Sequence, residues 1–181
     1  HDIVNNADDD VLLLKTCPSC ETPLKQRKRN GMLVNLVCPN HTGCPAQLKA
    51  LIANLVSKKA FNIKGFGEAL IDDLVDMGIV KDVCDIFSLT QESLIDVPYL
   101  SADRSQVLLK SIQESRYTQL HRFLTALGIP GVGKETAESI TDHFRALGPI
   151  LSATVKELTE VNGVERKKAV VIRKWLDTPI N

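Results

Sequence analysis

Aromatic side chains are scarce in this chain: five phenylalanines, two tyrosines and one tryptophan among 181 residues. Leucine, isoleucine, valine and alanine must therefore fill any core, and a hydrophobic share of 44% leaves enough of them to do so. Net charge is also missing, with 22 basic and 22 acidic residues. That balance argues against a uniformly basic domain and makes the distribution of charge the informative quantity. No apolar run approaches the ~20 residues of a membrane-spanning helix. The start of the chain lacks the apolar stretch of a secretory signal and carries Asp8-Asp9-Asp10 there instead. A cytosolic or nuclear setting is the default, with reduced thiols. An initiator methionine is absent too, which suggests a piece of a longer protein.

Charge is unevenly spread. By count of Lys and Arg against Asp and Glu, residues 1–16 carry −3, 17–60 carry +6, 61–118 carry −5 and 119–181 carry +2. The positive stretch coincides with most of the cysteines. Cys17-Pro18-Ser19-Cys20 is followed after seventeen residues by Cys38 and then by Cys44. Two thiolates on a tight knuckle bind one metal ion, and a second pair completes a tetrahedron. Zinc is the natural occupant of four thiolates in a reducing compartment. A redox Cys-x-x-Cys and two disulfides are the alternatives, but a redox pair sits at a helix start in an α/β context that this sequence lacks. His41 lies between the last two cysteines and ranks second as a ligand. The spacer reads as a β-hairpin whose tip carries Lys25, Arg27, Lys28 and Arg29, followed by a strand over 32–37. These four cations suit phosphates, or equally a solvated turn. Val11 to Leu14 reads as a short strand, and residues 1–10 as a flexible segment.

From Pro45 onward the pattern is helical. Ile129-Pro130-Gly131-Val132-Gly133-Lys134 forms a tight corner between two runs with apolar residues at helical spacing. Its glycines permit positive φ and a close backbone approach, and Gly133 opens a helix whose free amides suit a phosphate. Lys134 adds charge at the rim. Gly128 to Lys134 also spells the start of a nucleotide-binding P-loop. However, Glu135 stands where Ser or Thr is required, and a helical segment stands where a strand is required. A second copy, Ile63-Lys64-Gly65-Phe66-Gly67, repeats the frame. Val97-Pro98-Tyr99-Leu100-Ser101 and Val161-Asn162-Gly163-Val164-Glu165 are weaker copies, the first without either glycine and the second with one. The corners recur roughly every thirty residues, as in repeat arrays.

Smaller signals fill in the rest. Gly78 reads as a helix C-cap, Thr154 to Glu157 as a capping box, and Thr90 with Ser93 as a helix start. Gly148-Pro149 reads as a break between repeats. Cys84, in an apolar stretch, is expected to be buried. Trp175 is expected to pack in a core, and His121 and His143 are expected to be ordinary helix residues.

Together these features resemble the carboxy-terminal region of bacterial-type NAD-dependent DNA ligases, a zinc finger followed by tandem helix-hairpin-helix units. Cys17-Pro18-Ser19-Cys20 resembles the family's first knuckle, and Cys44-Pro45-Ala46-Gln47 its exit from the finger into a helix. Ser57 to Gly67 and Arg122 to Ile129 are similar to its runs into the first and third hairpins. The resemblance spans residues 17 to about 177. It implies a mainly α fold: a flexible segment (1–10), a four-cysteine zinc finger with a short β-hairpin (11–46), and a helix-hairpin-helix domain (47–181). That domain would hold four units, about 47–80, 81–117, 118–148 and 149–181. It implies a non-catalytic part that grips nicked duplex DNA by its backbone, without sequence specificity, during replication and repair. Zinc would belong to this chain, and NAD and magnesium to the intact ligase. The Lys-x-Asp-Gly motif of nucleotidyl transfer is absent here. The expected ligands are Cys17, Cys20, Cys38 and Cys44. The expected DNA contacts are Lys64, Gly65, Gly67, Gly131, Gly133 and Lys134, with Lys25, Arg27, Lys28 and Arg29 on the finger. The protein is expected to be a monomer without membrane association. The alternative is a free-standing module for protein interaction or general DNA-backbone binding.

Overall fold

A computed structural model describes residues 14–29 and 32–178. The expected flexible segment 1–10, most of the Val11–Leu14 strand, the hairpin turn at 30–31 and the side chain of Arg29 lie outside the described residues. Two compact units divide between Leu48 and Lys49.

The first unit is built on β1 (Lys25–Arg29) and β2 (Met32–Val37), an antiparallel pair. Lys25 lies opposite Val37 and Arg27 opposite Asn35; a bulge then shifts the register so that Lys28 faces Leu33. The basic residues therefore form the first strand itself rather than a tip. Alternation puts Lys25 and Arg27 on one face. Thr16 bridges Pro23, and Glu21 takes a φ of +57°, which closes the knuckle that carries Cys17 and Cys20. The chain leaves this unit through α1 (Pro45–Val56), whose first turn begins at Cys44.

The second unit is all helix and turn among the described residues: α2 (Glu68–Asp76), α3 (Ala102–Ser115), α4 (Leu120–Ala126), α5 (Lys134–Phe144), α6 (Leu147–Ser152), α7 (Val155–Thr159) and α8 (Arg166–Leu176). Between α2 and α3 run two 3₁₀ segments, Val83–Ser88 and Glu92–Leu94. Thr90 and Ser93 do open local structure through reciprocal hydrogen bonds, but the product is a single 3₁₀ turn. Gly148 and Pro149 do not break the chain; they occupy the first turn of α6, where a proline costs no helical hydrogen bond. The break falls earlier, at Arg145, whose φ of +64° ends α5. Cys84 is exposed rather than buried, because the segment Val83–Ser88 turns Ile86 inward instead. Its thiol is raised by partial desolvation and then by Asp82 and Asp85, so it is not a poised thiolate.

The third and fourth repeats share one core, in which Leu124, Ile129, Ile140, Ile150, Leu158 and Ile172 are buried and Trp175 packs at the edge. The first and third repeats are joined by polar contacts. Asn54 Nδ2 donates to the carbonyls of Thr125 (3.0 Å) and Ala126 (3.1 Å), and Arg122 Nη2 donates to the Lys58 carbonyl at 2.6 Å. Phe61 meets Phe123 edge-on.

The short helix α7 depends on its cap. Thr154 Oγ1 accepts from the Glu157 amide, while Glu157 Oε2 accepts from the Thr154 amide at 2.7 Å. Thr154→Ala is expected to cost about 1 kcal/mol in a denaturant titration. The hydrogen bonds from Thr154 hold the Glu157 carboxyl below its ordinary value. Its contribution is thus present at neutral pH and fades as pH falls through that lowered value. The Ala variant keeps the backbone amide and should lose only the side-chain share of this acid dependence.

Candidate functional site

Two features of the fold stand out chemically. The first is the cysteine cluster. Cys17 and Cys20 come from the knuckle, Cys38 from the end of β2 and Cys44 from the start of α1. Their four sulfurs all lie within 4.8 Å of one another. Cys17 Sγ is 3.9 Å from Cys44 Sγ, and Cys20 Sγ is 3.5 Å from Cys38 Sγ. A tetrahedron with metal–sulfur bonds of about 2.3 Å has edges of about 3.8 Å, so the cluster has the size of a four-thiolate metal site. Disulfide-bonded sulfurs lie about 2.0 Å apart, and all five cysteines are free. Hydrogen bonds from the Thr22 side chain and backbone lower the Cys20 thiol to about 6. Burial, reinforced by the neighbouring cysteines, pushes the Cys38 thiol up to about 11. Four thiols this close do not all ionise unless a cation compensates them; a bound dication does that.

Second-layer contacts fix the cluster, and sequence reading did not single them out. Ser19 Oγ accepts from the Ala46 amide at 3.1 Å, tying the knuckle to the start of α1. Gln47 Nε2 donates to the Cys38 carbonyl, and its Oε1 lies 3.0 Å from His41 Nδ1. His41 stands outside the metal-sized cluster and is held by Gln47.

The second feature is the set of corners. At Gly65, Tyr99, Gly131 and Gly163 the backbone takes φ of +95°, +59°, +81° and +76°. Each is followed two residues later by an extended N-cap, respectively Gly67, Ser101, Gly133 and Glu165. Each is preceded by a buried aliphatic residue: Ile63, Val97, Ile129 and Val161. All four corners thus have one backbone geometry, including the two whose sequences look eroded. Tyr99 adopts a left-handed conformation that costs a non-glycine residue about 1–2 kcal/mol, and the surrounding packing holds it there.

The glycines of a pair differ. Gly131 needs its freedom because φ is positive. Gly67 and Gly133 sit at φ −89°, which any residue adopts, and an added Cβ would meet nothing within 4 Å at either. Neither makes a side-chain cap, so the first amides of α2 and α5 point outward uncapped. The second corner differs: the Ser101 side chain accepts from the Arg104 amide and caps its own helix. In the fourth, Glu165 makes no cap, and Arg166 and Lys167 stand exposed in the first turn of α8. Lys168 turns back to the Gly163 carbonyl (3.0 Å) and approaches Thr136 Oγ1 (3.4 Å). Lys64 is exposed, its amide held by Ser111 Oγ. Lys134 Nζ lies 3.8 Å from Glu138, which also faces His121. Lys25 and Arg27 border a hollow of about 370 Å³ with His41. The fourth corner thus carries exposed cations although its sequence keeps only one glycine.

A family model described as a helix-hairpin-helix motif matches residues 122–181, covering the third and fourth corners. A protein named DNA ligase from Coprothermobacter proteolyticus is 38% identical over 164 residues, which cover 91% of this chain and 24% of the relative. One of that name from Pseudothermotoga lettingae is 37% identical over 174 residues, covering 96% and 25%. Nearly the whole chain is thus similar to one stretch of these DNA ligases. It spans about a quarter of the length of these relatives and fits a C-terminal part of a DNA ligase. A further DNA ligase, from Thermotoga maritima, is 35% identical over 90% of the chain and 23% of its own length. The ligase match thus takes in the cysteine unit as well as the corners, since it extends well beyond the 60 residues of the motif. Among the described residues, no helix is long and apolar enough to cross a membrane.

Proposed function

We propose that this chain is the non-catalytic part of an NAD-dependent DNA ligase that grips the backbone of nicked duplex DNA during replication and repair. One observation carries the reading: Gly67 and Gly133 lack side chains for no internal reason. Neither strain nor packing requires glycine there, so the open space serves a partner that comes close to the backbone. The helix amides behind each glycine and the positive end of the helix dipole favour an anion. A phosphate diester is that anion, and Lys64 and Lys134 stand beside the two corners. Phosphate contacts suit an enzyme that must accept any sequence.

The fourth corner joins the first and third in this proposal, through Gly163, Arg166 and Lys167. The second does not, because Ser101 already uses an amide and Tyr99 projects where backbone should be. On the finger, Lys25, Arg27 and Lys28 supply a further positive strand. The metal at Cys17, Cys20, Cys38 and Cys44 is zinc in this reading. When bound it supplies a structural cross-link, while the four thiolates, Thr22 and Ser19 hold the knuckle to the start of α1. Adenylate transfer from NAD, with magnesium, belongs to the remainder of the intact ligase.

The test is binding of the 181-residue chain to nicked duplexes of different sequence across a salt series. Affinity is expected to vary little with base sequence and to fall steeply with salt. Removing the charge of Lys134 should flatten the log–log slope by about one unit. Strong dependence on base sequence, or no salt-dependent binding at all, overturns the reading.

A further inference from the structure

The first two corners enclose a groove of about 580 Å³ that DNA gripping does not explain. Leu70 of α2, Pro98 and Leu100 of the second corner, and Val107 and Leu108 of α3 line it, with Tyr99 at its mouth. Two of its residues are exposed beyond what the core needs: Tyr99 is 96% and Val107 64% exposed. Tyr99 also holds a strained φ that glycine would take without cost, so the fold gains nothing from an aromatic there. Contiguous apolar surface with a polar rim marks a binding site.

The surrounding charge selects the occupant. Residues 61–118 carry −5, and Asp73 and Asp103 stand in the groove itself against one cation, Arg104. Of the other cations of this segment, two are engaged and Lys64 stands exposed beside Gly65. Arg116 donates to the Phe87 carbonyl and lies over the Phe87 ring, and Lys110 pairs with Glu114. The two carboxylates against one cation disfavour a polyanion lying along the groove between the corners, while the first corner itself keeps Lys64. A segment with apolar side chains flanked by Lys or Arg is drawn to the groove.

We propose that this groove docks a basic, apolar peptide segment of a partner protein, with apolar side chains seated against Leu70, Leu100 and Val107 and cations facing Asp73 and Asp103. Gly65 and Gly67 border the groove, so a docked segment and a phosphate at the first corner exclude one another. The third and fourth corners stay open to DNA.

The experiment is amide-shift mapping of the full chain with a short helical peptide that alternates leucine pairs with lysine pairs. Two control peptides replace the lysines by glutamate or the leucines by serine. The leucine–lysine peptide is expected to shift residues 67–73 and 98–108, and both controls should bind at least about tenfold more weakly. Val107→Glu should weaken binding about tenfold, whereas Val170→Glu, on the exposed face of α8, should leave it unchanged. Equal binding of the serine control overturns the proposal, as do shifts scattered over the chain. So does a nicked duplex that shifts Leu70, Tyr99 and Val107 more than the peptide does, for the groove then serves DNA. Loss of duplex binding in the same samples bears on the gripping function alone.

Discussion

Cys44→Ser is expected to abolish metal binding and unfold the segment from Thr16 to Cys44, while α2 to α8 keep their structure. Among the described residues up to Leu48, the buried apolar side chains are Cys17 and Cys44 themselves. The core of this unit is therefore its sulfurs, and a two-stranded hairpin without another core is marginal in water. Binding of structural zinc is worth about 10–16 kcal/mol in small metal-held modules at neutral pH, far more than such a hairpin supplies. The second unit buries its own leucines, isoleucines and valines and needs no metal. Elemental analysis after dialysis against a weak chelator should give one zinc per parent chain and none for the variant. Amide spectra should show collapse confined to the cysteine unit. A variant that stays folded through residues 16–44, or a parent free of metal after reducing purification, removes the metal centre from consideration.

The second large effect separates two neighbouring glycines. Gly133→Val should leave folding nearly intact, because φ is −89° and the space around the position is open. Its side chain would stand in front of the first amides of α5 and keep a phosphate oxygen out. Loss of hydrogen bonds to a charged group is worth about 1.5–3 kcal/mol, so nicked-duplex affinity should fall on the order of tenfold to a hundredfold. Gly131→Val should do the opposite. At φ +81° a β-branched residue is strained, so stability should drop by about 1–2 kcal/mol or more before any ligand is considered. Pro98→Ala, at the self-capped second corner, should barely change DNA binding. Denaturant midpoints and duplex titrations on the same samples distinguish these outcomes. A folded Gly133→Val that binds like its parent defeats the phosphate role of this corner.

Most of the architecture was legible in local pattern. Cysteine spacing announced a four-thiolate knuckle, because metal geometry restricts which spacings can converge. Helix positions followed from apolar periodicity, and the Thr154–Glu157 capping box is a purely local device. The repeat of roughly thirty residues was visible because each corner needs an aliphatic residue, a left-handed residue and a cap in fixed order. What pattern did not decide was set by packing at a distance. Tyr99 reads as a lost glycine, yet its corner keeps the same backbone because Val97 is anchored in the core. Cys84 reads as a core residue, yet a 3₁₀ turn points Ile86 inward in its place. The basic run reads as a turn, yet cross-strand pairing with Met32–Val37 makes it a strand. The sequence alone determined which chemistry is present: four thiols, four corners, cations near the first and acids around the second. Only the tertiary structure decided which glycine of a corner the backbone requires, since that depends on φ and on the atoms that a missing side chain would have met.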